Sequence, residues 1–264
     1  MTEQGTARAR GVRPLDVPGW LTGPEGDTLE ALAAACPGDA AIVEIGSFKG
    51  RSTIRLAAGS DAGRQARVFA VDPHARGTYP TLLENLRASG AEKLVTPLRM
   101  TSEEAARDWN RPIGLLFIDG NHDYEYVSQD YRLWFPHVIE GGVVAFHDST
   151  ACVRAGLGGY VGVRRVVQQE IFRSRDVHGV QVVDTITLAS KGAPADRKDA
   201  FRRAAVRLRK GVTDSVLLGN HYLFRHFRPL RRGLRRLLGR ARSTGVVGAV
   251  EFFETACELA VFAL

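Results

Sequence analysis

Leu115–Ser149 reads LLFIDGNHDYEYVSQDYRLWFPHVIEGGVVAFHDS. Two apolar runs, Leu115–Ile118 and Val143–Phe146, each stop abruptly in charge. The first ends in Asp119-Gly120-Asn121-His122-Asp123 and the second in His147-Asp148. Short continuous apolar runs of this kind mark strands buried on both faces of a parallel sheet. Between them Val127, Tyr131, Trp134, Phe135 and Val138 recur at i, i+4, i+7, i+8 and i+11, the apolar face of one helix. Gly141-Gly142 is expected to turn the chain into the second strand. If the two strands are parallel and near neighbours, Asp119, His122, His147 and Asp148 all emerge on one edge of the sheet.

Outward from this stretch the pattern repeats. Ala40–Gly46 (AAIVEIG) and Arg67–Asp72 (RVFAVD) read as buried strands, each carrying an acid at or near its end. Leu94–Arg99 is a weaker one. Helices are expected over Ser52–Ala58, over Pro80–Ala88 with Gly90 just past its end, and over Val163–Phe172. Leu29, Leu32 and Ala33 mark a short earlier helix, and Thr101 with Glu104 resembles a capping box. Gly179–Ala189 alternates loosely, as a hairpin turning near Asp184-Thr185 would. Strand and helix alternate five times, so the fold class is α/β with a mostly parallel sheet. Ligands of such sheets sit beyond the carboxyl ends of the strands, near the switch in strand order.

Composition adds bounds. The chain has 264 residues, 44% hydrophobic and 25% charged, which predicts a packed core. Its three cysteines, Cys36, Cys152 and Cys257, are scattered and form no CxxC pair, which argues against a disulfide framework or zinc cluster and for a cytoplasmic protein. No apolar signal core is present at the N-terminus. The net charge of +7 is uneven: residues 194–244 hold 15 Arg and Lys against three Asp, so a body of charge −5 carries a tail segment of +12. Three segments are expected: a disordered stretch over residues 1–15, a folded body over 16–192, and a basic helical extension over 193–264.

The first strand runs into VEIGSFKGRST. The phosphate-binding GxxxxGK[ST] loop does not fit, because Lys49 precedes Gly50. The dinucleotide GxGxxG does not fit either, because the middle glycine that admits a pyrophosphate is missing. Asp72, 26 residues past Gly46, is placed to accept the hydroxyls of a ribose. A glycine loop, a ribose acid and no pyrophosphate cradle describe S-adenosylmethionine. The same glycines would also serve a plain tight turn.

Asp119 and Asp148 offer the hard oxygens that Mg²⁺ prefers. His147 either joins them, tilting the site toward Mn²⁺ or Fe²⁺, or stands behind them and orients them. His122, three residues past Asp119, can face the same ligand, and an imidazole can take a hydroxyl proton near neutral pH. A divalent cation would acidify that hydroxyl.

The series GWLTGPEGDTLEALA, IVEIGSFKGRSTIRLA, VFAVDPH, LLFIDGNHDYEYVSQD and GGVVAFHD, spread over Val17–Ser190, resembles the class I S-adenosylmethionine-dependent methyltransferases. The subgroup it resembles holds macrolide-sugar O-methyltransferases and is related to catechol O-methyltransferase. The resemblance implies a Rossmann-like, mostly parallel seven-stranded sheet with helices on both faces, followed here by a helical C-terminal tail. It implies that Glu44, Gly46, Ser47, Gly50 and Ser52 line the methionine end of the cofactor. Asp72 would hold the ribose, Thr101 or Ser102 would lie near the adenine, and Asp119 would close the cofactor site. The metal ligands fall on Asp119, His147 and Asp148, with histidine in place of an oxygen ligand, and the base falls on His122. The expected activity is metal-assisted O-methylation of a sugar hydroxyl on a saccharide, glycolipid or glycosylated small molecule, with Mg²⁺ or Mn²⁺. Phenolic or nucleic-acid acceptors, a hydroxylase-like relative with a facial iron triad, and a scaffold with a vestigial site are the alternatives.

Residues 149–162 hold four glycines and read as a mobile loop over the acceptor, with Arg154 and Tyr160 as contacts, or as a plain connector. The tail reads as basic helices near 195–211 and 229–242. It ends in an amphipathic stretch bearing Glu251, Glu254 and Glu258. Packing on the body or a second subunit, contact with an anionic membrane surface, and nucleic-acid binding compete as its role; sparse aromatics argue against the last.

Overall fold

The computed structural model describes residues 17–193 and 197–218. The N-terminal stretch expected to be disordered, the second basic helix and the glutamate-bearing C-terminal stretch lie outside the described residues. The strands are β1 (Ala41–Ile45), β2 (Val68–Val71), β3 (Val95–Leu98), β4 (Ile113–Ile118), β5 (Val138–Phe146), β6 (Ala151–Cys152), β7 (Leu157–Gly158), β8 (Val177–Val183) and β9 (Ile186–Lys191). The helices are α1 (Gly23–Ala35), α2 (Arg51–Ala62), α3 (Tyr79–Ser89), α4 (Ser102–Arg107), α5 (Tyr124–Trp134), α6 (Val161–Val166) and α7 (Arg197–Leu218).

Seven strands form one sheet in the order β3-β2-β1-β4-β5-β9-β8, while β6 and β7 pair separately. β1 to β5 run parallel, and the β8–β9 hairpin adds antiparallel at the β5 edge. Its turn falls at Asp184-Thr185, as the alternation predicted. The chain winds outward from β1 in one direction through β2 and β3, then returns beside β1 as β4. The switch in strand order therefore lies between β1 and β4, where a ligand crevice forms.

Alternation along each strand divides the interior into two cores. Val43, Ile45, Leu116, Ile118, Val144 and Phe146 face α5 and α6. Ile42, Leu115, Phe117 and Ala145 face α1 and α2. Glu44 lies on the second of these faces. It is fully buried, and its carboxyl is met by Ser52 Oγ and Thr53 Oγ1 of α2, each at 2.5 Å.

Two expectations need correction. Gly141-Gly142 does not turn the chain; it lies inside β5, where the register against β4 jumps from Ile113↔Val138 to Leu115↔Val143. The strand takes up the extra residues as a bulge, with Gly141 at φ 77°. Residues 149–162 are not a loose connector. They hold the β6–β7 hairpin and are tied at both ends. Ser149 Oγ lies 2.7 Å from both Thr185 O and Thr187 Oγ1, and Arg154 pairs with Asp184 at 3.0 Å.

The first basic helix packs on the body. On α7, Arg203 donates to the carbonyls of Ser174 and Val177, and Asp199 accepts from Gly179 N. Asp214 accepts from Thr150 Oγ1 and Ala151 N, both at 2.7 Å, and pairs with buried Lys210 at 2.8 Å. Part of the tail's charge is thus spent holding the segment that follows Asp148. Asp214→Ala is expected to cost about 3–5 kcal/mol, because it strands a buried ammonium; urea denaturation measures this. An unchanged midpoint would mean that Asp214 is not an anchor. Among the described residues no helix is long and apolar enough to cross a membrane.

Candidate active site

The parallel register brings the strand ends level. Ile45 pairs with Val71 on one side and Ile118 on the other, and Ile118 pairs with Phe146. The ladder continues one step beyond the strands: Gly46 N donates to Val71 O, Asp119 N to Ile45 O and His147 N to Ile118 O. Gly46, Asp72, Asp119 and His147 therefore stand in a row at the carboxyl edge.

The glycine loop fits against this row without room to spare. Gly46 has φ 93°, and a Cβ there would lie 2.2 Å from Asp119 O. Asp72 braces the loop, its Oδ2 accepting from Phe48 N at 2.8 Å and its Oδ1 from His74 N at 2.6 Å. Ser47 Oγ is buried and finds no hydrogen-bond partner among the described residues. A polar ligand seated on the loop would satisfy it. Ser52 is engaged with Glu44, and Gly50 ends the loop at φ 92° as the N-cap of α2. Thr101 caps α4 in a full capping box with Glu104, and Ser102 Oγ accepts from Trp134 Nε1 at 2.8 Å. Both residues flank the β3 end of the crevice.

Burial pushes the Glu44 carboxyl up to about 8; the hydroxyls of Ser52 and Thr53 oppose this, and the carboxylates of Asp119 and Asp72 add to it. The unfolded chain loses this proton near the ordinary glutamate value, whereas the folded protein keeps it. Stability should therefore fall as pH rises from about 4.5 to about 8, by at most about 1.4 kcal/mol per pH unit. Thermal melts of Glu44→Gln should show a flatter pH dependence than the unsubstituted protein in that window. Parallel curves would refute a proton held at Glu44.

Beyond β4 and β5, one ligand atom each from Asp119, His122 and Asp148 lies within 4.8 Å of the others. Two carboxylates and an imidazole this close suit a divalent cation of the Mg²⁺–Mn²⁺ class. The trio takes in two of the three expected ligands and has His122 where His147 was expected. His147 stands behind it, only 3% exposed. Its Nδ1 lies 3.0 Å from Asp119 Oδ1 and 3.6 Å from Asp148 Oδ2, and its Nε2 lies 3.4 Å from Glu25 Oε2. These are ion-pair approaches rather than aligned hydrogen bonds. Burial alone would lower the His147 pKa, but Asp119, Asp148 and Glu25 together hold it well above the usual value. Burial would likewise raise Asp148, yet contacts with His122 and His147 hold it below the carboxylate range.

His122 Nε2 lies 3.3 Å from Asp148 Oδ2. Tyr160 stacks flat on its ring, with centroids 4.1 Å apart and planes 6° from parallel. Tyr160 N also donates to Asp148 O, so the residue holds both members of the trio that it touches. Gly162 lets α6 begin against the His122 carbonyl, 2.2 Å from where a Cβ would stand. Asp148 itself has φ 52°, strain of a kind that clusters at functional sites. Across the glycine loop, exposed Trp20 packs on Phe48 with centroids 5.5 Å apart.

Glu25 is the site residue that sequence reading missed. Its signal was present: Thr22-Gly-Pro-Glu25 has the capping-box spacing, and both of its hydrogen bonds form. Nothing local to that motif reveals that the glutamate also reaches His147.

Residues 43–149 match a family model described as a methyltransferase domain. They run from β1 to just past β5 and contain every residue of the row and the trio. Among solved structures, the chain is similar to the O-methyltransferase TomG of Streptomyces achromogenes, involved in tomaymycin synthesis and solved with SAM. Identity is 23%, coverage is 70% of this chain and 87% of that one, and the TM-score is 0.52. It is also similar to an O-methyltransferase of Bacillus cereus in complex with SAH, at 18% identity, covering 67% and 86%, with a TM-score of 0.50. Residues 43–149 thus carry a methyltransferase-domain sequence, folded as five parallel strands in this strand order.

Proposed function

We propose that the protein is a metal-assisted O-methyltransferase acting on a hydroxyl of a sugar or glycosylated small molecule. The observation that carries this reading is the Asp119–His122–Asp148 trio opening beside the glycine loop. Both structural relatives are named O-methyltransferases, which favours oxygen as the acceptor atom.

S-adenosylmethionine supplies an electrophilic methyl group, and a divalent cation lowers the pKa of a hydroxyl that it binds. In this reading Asp119 and Asp148 hold the cation, and the glycine loop with Asp72 seats the cofactor. His122 takes the acceptor proton, its ring kept in plane by Tyr160. The chain's remaining work is orientation: the acceptor oxygen must lie opposite the sulfur in line with the methyl carbon. A vicinal diol can chelate a cation and present one oxygen. Exposed Trp20 and Tyr160 offer aromatic faces for the C–H faces of a sugar ring. The buried free thiols Cys36 and Cys152 agree with a reducing cytoplasm.

Titration calorimetry of metal-stripped protein with S-adenosylmethionine and S-adenosylhomocysteine, without and with Mg²⁺ or Mn²⁺, tests the cofactor and metal assignments. Absence of binding by either nucleoside under all conditions would end the reading. An assay of S-adenosylhomocysteine release then compares sugars bearing vicinal hydroxyls with catechols. Turnover on catechols alone would replace the sugar assignment with a phenolic one.

A further inference from the structure

Glu25 sits in the first turn of α1, and no role was assigned to it from the sequence. As the third residue of a capping box it needs only to accept from the backbone of Thr22, which it does at 2.8 Å. Among the described residues the other capping box, Thr101 with Glu104, does the same task fully exposed. Glu25 is completely buried. Burying a carboxylate is costly unless its oxygens are met, and here they are met by more than the cap. Oε1 accepts from Thr185 N at 2.8 Å and Thr185 Oγ1 at 2.6 Å, and Oε2 lies 3.4 Å from His147 Nε2. The opposite side of the same imidazole faces Asp119 and Asp148.

We infer that Glu25 is a positioning residue for the metal site, acting through His147. Asp119 and Asp148 are like charges on neighbouring strand ends, and one imidazole touches both. Anchoring the far side of that ring on Glu25, itself clamped by Thr22 and Thr185, keeps the two carboxylates aimed at a common point. Groups behind metal ligands commonly tune affinity by 10–100-fold. The inference rests on the metal reading proposed above.

The test is calorimetric titration of full-length protein with MnCl₂ and, separately, with S-adenosylhomocysteine. It compares the unsubstituted chain, Glu25→Gln, His147→Gln and the double variant. Glu25→Gln is expected to weaken Mn²⁺ binding about 10–100-fold and to leave S-adenosylhomocysteine affinity unchanged. The double variant should bind Mn²⁺ no more weakly than His147→Gln, because the two residues act in series. Unchanged Mn²⁺ affinity in Glu25→Gln overturns the inference. So do additive losses in the double variant, which would indicate a charge acting through space. Thr185→Val, which removes a Glu25 donor without touching the cap, is the second variant if Glu25→Gln does not fold. It should shift Mn²⁺ affinity in the same direction, and no shift overturns the inference. If the unsubstituted protein binds S-adenosylhomocysteine but not Mn²⁺, the metal reading itself fails and takes the inference with it. If it binds Mn²⁺ and the variants match it, only the inference fails.

Discussion

His122→Ala and Asp119→Ala should each abolish methyl transfer while S-adenosylhomocysteine still binds. In the proposed mechanism the His122 imidazole takes the acceptor proton, and removing a positioned base typically costs 10²–10⁴-fold in rate. In the proposed reading the cofactor is seated mainly on the loop from Gly46 to Ser52 and on Asp72. Asp119 meets the loop at Gly46 through its backbone, which alanine retains. The two variants should part company on Mn²⁺: Asp119→Ala loses a carboxylate ligand and binds it weakly, whereas His122→Ala keeps both carboxylates and binds it nearly as well. Loss of Mn²⁺ affinity in His122→Ala would make His122 a ligand rather than a base. Loss of S-adenosylhomocysteine affinity in both variants would count against separate cofactor and metal compartments. Turnover is followed as S-adenosylhomocysteine release with whichever saccharide the acceptor screen yields.

Gly46→Ala should be more damaging to the whole crevice than either. At φ 93° an alanine pays for a left-handed backbone, about 1–2 kcal/mol. Its Cβ would also stand 2.2 Å from Asp119 O and 2.8 Å from Gly120 Cα. Those are backbone atoms of the neighbouring strand end and cannot rotate away, and overpacking of this sort costs a further 1–3 kcal/mol or so. For a chain of this size each kcal/mol lowers Tm by about 2–4 °C. Because the clash pushes β1 and β4 apart at the switch point, S-adenosylhomocysteine and Mn²⁺ affinities should fall together. That joint loss is the contrast with Asp119→Ala. A Gly46→Ala protein with unchanged Tm and both affinities intact would show that the close approach has no role.

Much of this was legible in the residues. Parallel strands advertise themselves as unbroken apolar runs, so β1, β4 and β5 were readable, with a charged residue just beyond β4 and β5. Helix limits followed from local chemistry: Gly90 at φ 76° ends α3, and Thr101 with Glu104 opens α4. The spacing Asp119-x-x-His122 and the pair His147-Asp148 named the site because parallel strands must end on one edge. What the residues could not supply was the arrangement within that edge. Whether His147 or His122 stands with the two aspartates depends on which way each ring turns. The partners that turn them, Glu25 and Tyr160, are remote in sequence or contributed by another element. The same holds for Gly141-Gly142, whose dipeptide suits a turn as well as a bulge until β4 pairs alongside it, and for Asp214, whose role exists only once α7 meets Thr150. Local pattern determines which elements form and what each carries at its end; long-range packing alone decides which end groups face one another, because those contacts join residues whose separation along the chain leaves no periodic trace.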